Sequence, residues 1–202
     1  MNTARTISCV IPLFNEEAVL PLLIETLSSL KVEPYSFEFI CVDDGSSDQS
    51  LGILLSTRET DERFKIIQLS RNFGHQTAIT AGLEAVRGDC AVILDADLQD
   101  PPQLITEFIR HWENGADVVY GIRTNRKEAW FKRACYKSFY LCYGKLASFK
   151  VPLDSGDFCL IGRRALDLLN ALPERVRFVR GLRSWVGLNQ VGVPYERAER
   201  AA

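Results

Sequence analysis

The sequence predicts an α/β protein with a mainly parallel sheet and helices on both faces. Two observations predict it. Short apolar runs alternate with amphipathic segments through the first 122 residues, and the connections between them are short. Polar and acidic residues gather directly after the apolar runs, where open α/β sheets bind their ligands.

Residues 7–11 form the first expected strand. Residues 16–30 read as a helix, with Val19, Leu20, Leu22, Leu23 and Leu27 on its apolar face. Residues 37–42 are the second strand, and Ser47 or Asp48 is expected to cap the helix that follows. A third strand over 64–69 leads to a helix over 77–86, which ends before Gly88. Residues 90–94, 103–112 and 117–120 continue as strand, helix and strand. Residues 130–150 are aromatic and basic and read as one or two amphipathic helices. A strand at 157–161, helices at 164–171 and 176–188, and a short strand at 191–193 complete the expectation. All 202 residues are read as one domain, with a nucleotide- and metal-binding half (1–122) and a basic, acceptor-binding half (123–202).

Composition narrows the classes. With 47% hydrophobic residues, the chain is long enough to build a real core. No signal peptide is visible at the start, and no apolar run reaches the roughly eighteen residues that a membrane helix needs. The six cysteines, Cys9, Cys41, Cys90, Cys135, Cys142 and Cys159, form no C-x-x-C pair and read as reduced thiols. The net charge of −2 conceals an asymmetry. Residues 1–122 carry 8 Lys and Arg against 19 Asp and Glu, a net of −11, whereas residues 123–202 carry 16 against 7, a net of +9. An acidic half suits metal-assisted nucleotide binding, and a basic half suits phosphates or an anionic membrane surface. The isoelectric point near 5.8 argues against a dedicated nucleic-acid binder.

The chemistry concentrates at the ends of the expected strands. Asp95-Ala96-Asp97 closes the fourth strand, and two carboxylates one residue apart can share a hard divalent cation with a diphosphate. Asp43 and Asp44 close the second and can accept hydrogen bonds from ribose hydroxyls or a base N–H, with Gly45 allowing a sharp turn. Pro12, Phe14, Asn15 and Glu16 close the first; Asn15 can cap the helix, and Glu16 can bond a sugar or base. Arg71 closes the third, where it could meet phosphate, and His75 reads first as a loop or cap histidine.

Taken in order, Ile11-Pro12-Leu13-Phe14-Asn15-Glu16, Val42-Asp43-Asp44-Gly45-Ser46-Ser47-Asp48, Arg71-Asn72-Phe73-Gly74 and Leu94-Asp95-Ala96-Asp97-Leu98-Gln99-Asp100-Pro101-Pro102 resemble the family 2 glycosyltransferases of the GT-A fold. Within them, the sequence is similar to the polyisoprenyl-phosphate sugar transferases, the dolichol-phosphate mannose synthase type and its bacterial glucosyl relatives. The resemblance implies that Pro12, Phe14 and Glu16 surround the nucleoside and that Asp44 binds the base; Asp43, Arg71 and Ala96, at the same strand ends, are expected in the nucleotide-sugar site with them. It implies that Asp95 and Asp97 hold Mg²⁺ or Mn²⁺ and the diphosphate, with Gln99 beside the donor sugar. Arg123 and Arg126 match a basic loop that grips the acceptor phosphate, and Asp157 matches a carboxylate at the reaction centre, as a base or an orienting group. Residues 180–185 look like the family's late helix but depart from the Q-x-x-R-W signature of processive members, which counts against a polymer synthase.

The expected activity is inverting transfer of a sugar, glucose from UDP-glucose before mannose from GDP-mannose, to undecaprenyl or dolichyl phosphate at the cytoplasmic membrane face. A hydroxyl acceptor and a nucleotide-sugar-binding module without turnover are the alternatives. A C-terminal membrane anchor, common in this branch, is expected to be absent or lost by truncation; a homo-oligomer stays open.

Overall fold

A computed structural model describes residues 5–124 and 155–198. Chain order runs β1 (Thr6–Leu13), α1 (Leu20–Ser29), β2 (Ser36–Asp43), α2 (Ser50–Thr60), β3 (Phe64–Gln68), α3 (His75–Ala85), β4 (Cys90–Ile93), a 3₁₀ turn (Pro102–Leu104), α4 (Ile105–Glu113) and β5 (Val118–Arg123). It continues with β6 (Ser155–Gly162), α5 (Arg163–Asn170), α6 (Val179–Trp185) and β7 (Gln190–Tyr195).

The strands form one seven-stranded sheet in the order β3-β2-β1-β4-β6-β5-β7. β1 pairs in parallel with β2 and β4, β2 with β3, and β5 with β7. β6 alone runs antiparallel, wedged between β4 and β5. The sheet is therefore mainly parallel, as expected. The reversed strand has a consequence for the site, because the beginning of β6 lies on the rim where β4 and β5 end.

Side-chain alternation sends each strand's apolar residues to two cores. Ile7, Cys9 and Ile11 join Leu23, Leu27, Phe108 and Phe158 on one face. Val10, Ile40 and Val42 join Ala78, Ile79, Leu83 and Leu166 on the other. Gly82 lets α3 approach this second face closely, since a Cβ there would stand 2.3 Å from Val10 Cγ1. That close packing fixes the direction in which α3 presents its first residues to the rim.

Several boundaries differ from expectation. Helix α1 begins at Leu20, with a proline in its first turn, rather than at residue 16. Helix α2 has Gln49 as its N-cap and no side-chain cap; Asp48 instead accepts from the Ser50 and Glu17 N–H groups. Strand β5 runs on to Arg123, so Arg123 is a strand residue and not part of a loop. Helix α6 covers only Val179–Trp185, because Gly187, at φ 72°, ends it. Arg126, Cys135, Cys142 and the expected helices over 130–150 lie outside the described residues. The four described cysteines, Cys9, Cys41, Cys90 and Cys159, are free and buried, as expected. No helix among the described residues is long and apolar enough to cross a membrane.

Candidate active site

The loops after β1 and β2 are stitched together by polar bonds. Asn15, with φ 53°, donates its N–H to Ser46 Oγ at 2.9 Å, and its Oδ1 accepts from the Ser47 N–H at 2.8 Å. The Glu16 N–H donates to Ser50 Oγ at 2.9 Å, and Glu17 Oε2 accepts from the Gln49 N–H at 2.8 Å. Asn15, Ser47 and Asp48 thus serve to join two loops, which satisfies backbone groups that helix starts leave open.

The loop after β3 is held by Asp44. Its two carboxylate oxygens accept from the Phe73 N–H at 2.7 Å and the Gly74 N–H at 2.8 Å. Gly45 lies so close to this loop that a Cβ would stand 2.5 Å from the Arg71 carbonyl carbon, and its φ of 72° is one that glycine adopts without strain. Asp43 is fully buried; one oxygen accepts from the Ser46 N–H, and the other has no hydrogen-bond partner.

These loops wall a cavity of about 470 Å³ at the carboxyl ends of β1, β2 and β4, lined by Pro12, Phe14, Glu16, Asp44, His75, Asp95, Ala96 and Asp97 among others. Seven of the expected site residues therefore share one cavity. Asp43 sits buried beside Asp44, outside the lining. Arg71 is exposed, with its guanidinium 4.0 Å over the Phe73 ring and bonded to the Asn72 carbonyl. Gln99 donates its N–H to Asp97 Oδ1 at 3.1 Å, while its side chain bonds the Ala198 carbonyl.

A cluster of charges flanks the cavity. His75 Nε2 stands 3.5 Å from Asp95 Oδ1 and 3.7 Å from Asp157 Oδ2, which are ion-pair distances. Asp157 Oδ2 also receives Gln76 Nε2 at 3.2 Å and faces Arg180 Nη2 at 3.4 Å. Burial alone would raise the Asp157 carboxyl, but the His75 imidazole and the Arg180 guanidinium more than offset it and hold the group at about 2. Asp95 is pushed the other way, by burial first and then by the carboxylates of Asp100, Asp97 and Asp157, against the pull of His75. His75 is raised by Asp157 foremost, in spite of its partial burial. Further along the rim, buried Asp100 accepts from the Tyr195 hydroxyl and lies 3.4 Å from Arg123 Nη2. Arg123 Nε donates to the Tyr195 hydroxyl at 3.1 Å. Arg197 bridges Asp97 Oδ2 at 3.4 Å and Asp100 Oδ1 at 3.5 Å.

His75 reads from the sequence first as a loop or cap histidine, yet it stands between the two carboxylates. Gln76, Asp100, Arg180, Tyr195 and Arg197 were not singled out as site residues at all. Two sequence signals point to Arg180, the basic run at 175–183 and the likeness of residues 180–185 to the family's late helix.

No group of three His, Cys, Asp or Glu side chains among the described residues makes a closed metal cage. The donor set nevertheless fits a hard divalent ion that is shared with a ligand. Asp95 Oδ1 is buried without a hydrogen-bond partner, and a second carboxylate lies two residues on. Mg²⁺ and ions like it are bound by one or two carboxylates, with phosphate oxygens and water completing the shell.

A mainly parallel α/β sheet with a cavity at its strand ends and a carboxylate pair on the rim places these residues where open α/β folds bind their ligands. The chain matches Glycosyl transferase family 2 over residues 8–169 and belongs to that family. It is 45% identical over 197 residues to the "Uncharacterized glycosyltransferase YkcC" of Bacillus subtilis (strain 168), covering 96% of this chain and 61% of that protein. It is 36% identical over 198 residues to the "Bactoprenol glucosyl transferase" of Shigella phage SfV, covering 97% and 64%. The chain thus spans about three-fifths of the length of these relatives. Among solved structures, the mannosyltransferase PcManGT of Pyrobaculum calidifontis, in complex with GDP-Man and Mn²⁺, superposes with a TM-score of 0.69 at 17% identity, covering 100% of this chain and 58% of that one. Glucosyl-3-phosphoglycerate synthase of Mycobacterium tuberculosis, in complex with Mn²⁺, UDP-Glc and phosphoglyceric acid, gives 0.65 at 21%, covering 98% and 72%. The fold is the GT-A glycosyltransferase fold.

Proposed function

We propose that this chain is the catalytic domain of an inverting, metal-dependent hexosyltransferase that moves glucose from UDP-glucose to a polyprenyl phosphate at the cytoplasmic face of the membrane. The observation that carries this reading is the convergence of Asp95 and Asp157 on one side chain, His75, beside the cavity. It sets Asp95 from the first half of the chain and Asp157 from the second against one imidazole, which supports reading them as the donor-side and reaction-centre carboxylates. The name of the Shigella phage relative supports glucose as the sugar and bactoprenol as the acceptor lipid.

In this mechanism the bond from the anomeric carbon to the diphosphate breaks, and the diphosphate leaves with the electron pair. An oxygen of the acceptor phosphate attacks from the opposite face and inverts the centre. A Mg²⁺ or Mn²⁺ held by Asp95 and Asp97 would supply Lewis-acid neutralisation of the leaving diphosphate. Pro12, Phe14, Glu16, Asp43, Asp44, Arg71 and Ala96 bind the nucleotide sugar, with Gln99 near the sugar. Arg123 and Arg126 orient the acceptor phosphate, since guanidinium matches phosphate oxygens bidentately. An ionised phosphate needs alignment and charge screening more than it needs a base. Asp157, held ionised down to about pH 2, is a weak proton acceptor and suits an orienting role. That acidity favours a phosphate acceptor over a hydroxyl one, which would require a true base.

The test incubates the protein with radiolabelled UDP-glucose or GDP-mannose, a short polyprenyl phosphate and Mn²⁺. Label should move into a lipid-extractable sugar phosphate, and EDTA should stop it. Asp95→Ala or Asp97→Ala should abolish Mn²⁺-dependent donor binding with the fold intact. Unchanged affinity for the uridine sugar in either variant would refute the assignment.

A further inference from the structure

Gln76 lies outside the cavity lining and carries no charge, yet its side-chain amide touches two elements at once. Oε1 accepts from the Val179 backbone N–H at 2.9 Å, and Nε2 donates to Asp157 Oδ2 at 3.2 Å. The orientation of the amide follows from its partners, because a backbone N–H must meet the oxygen and a carboxylate must meet the NH₂. Val179 is the first residue of α6, where helix geometry leaves N–H groups without an internal partner. The next residue, Arg180, reaches back to the same Asp157 oxygen at 3.4 Å. The result is a closed triangle of α3, β6 and α6, with the Asp157 carboxylate at one corner. Oδ2 takes every one of these contacts, while Oδ1 stays buried without a hydrogen bond.

We propose that Gln76 is a positioning residue for sugar transfer, its amide locking the Asp157 carboxylate to the start of α6 so that both keep one orientation at the reaction centre. The inference rests on the transferase reading above. The physical argument is one of pre-organisation. His75 and Arg180 hold the carboxylate through long side chains at 3.7 and 3.4 Å, which leaves its torsions some freedom; a neutral amide anchored at its far end to a backbone N–H removes that freedom. α3 can anchor the triangle because Gly82 seats it tightly against Val10.

Gln76→Glu separates this role from a purely structural one. It keeps an oxygen for the Val179 N–H but loses the donor to Asp157 and sets two carboxylates against each other. The variant should melt several degrees below wild type, stay folded at the assay temperature and keep the wild-type KM for the nucleotide sugar. Its kcat for transfer to polyprenyl phosphate should fall about 10- to 100-fold, as expected for a misplaced reacting group. Because Gln76 acts through Asp157, adding Gln76→Glu to Asp157→Asn should lower kcat no further than Asp157→Asn alone. If Gln76→Glu fails to fold, the same double-mutant cycle is run with Gln76→Leu. A wild-type kcat in Gln76→Glu, or losses that multiply in the cycle, would overturn the positioning role while leaving the transferase reading intact. A wild-type protein that transfers no sugar would overturn the transferase reading and this inference with it.

Discussion

Asp44→Asn isolates what one buried carboxylate contributes to the cavity wall. In the native protein each Asp44 oxygen accepts one backbone N–H, from Phe73 at 2.7 Å and Gly74 at 2.8 Å, and the residue is only 3% exposed. Asparagine offers one oxygen to those two donors, and its NH₂ then faces the other N–H. The change loses a charge-assisted bond of about 1.5–3 kcal/mol and leaves a buried donor unpaired at about 1–3 kcal/mol. Together they amount to about 2.5–6 kcal/mol, a fall in Tm of about 5–24 °C for a chain of this size. Asn72 and Gly74 line the cavity, so the freed loop should also weaken binding of a uridine nucleotide. Thermal unfolding followed by circular dichroism and calorimetric titration with UDP measure both effects. A variant that melts within about 2 °C of wild type would show that the two N–H groups find other partners, and the reasoning would fail.

Two further outcomes follow from the charge cluster. Asp157 is held at about 2 against an ordinary 3.8, so its ionisation stabilises the fold by about 2 kcal/mol. The shift is downward, so the contribution is complete above about pH 4 and disappears as pH falls through about 2. The urea midpoint of wild type minus that of Asp157→Asn should therefore shrink over that window, and a gap independent of pH would contradict it. Arg123→Ala should impair the use of polyprenyl phosphate far more than hydrolysis of the donor, and equal losses in the two assays would remove Arg123 from the acceptor site.

How far the sequence speaks for the structure depends on the range over which each signal acts. The Asp95-Ala96-Asp97 motif is legible because an apolar strand and two acids adjoin it in the chain. The reach of β5 to Arg123 is not, because Gly121 breaks the β-branched run. In the folded protein Gly121 lies against the Tyr195 ring, where a Cβ would come within 2.5 Å, and the strand continues. Helix α6 reads too long from residue 176 because Arg177 looks helical; its guanidinium instead turns back to the Leu172 and Glu174 carbonyls. His75 and Gln76 gain their meaning from Asp157, about eighty positions away, and Arg197 from Asp97, a hundred positions away. Local periodicity carries no trace of such pairs. The antiparallel course of β6 is equally silent, since its apolar run reads the same in either direction.

The reversed direction of β6 brings the ends of the two described segments side by side on the rim. β5 leaves the sheet just after Arg123 and β6 enters it at Ser155, with Ile122 and Ser155 paired across the two strands. Backbone pairing between β5 and β6 therefore holds Arg123 and Asp157 on adjacent strands at one rim of the sheet. A slip of that ladder by one residue would turn the side chain on the slipped strand to the opposite face, so the rim's charge pattern is tied to the register of a single strand pair.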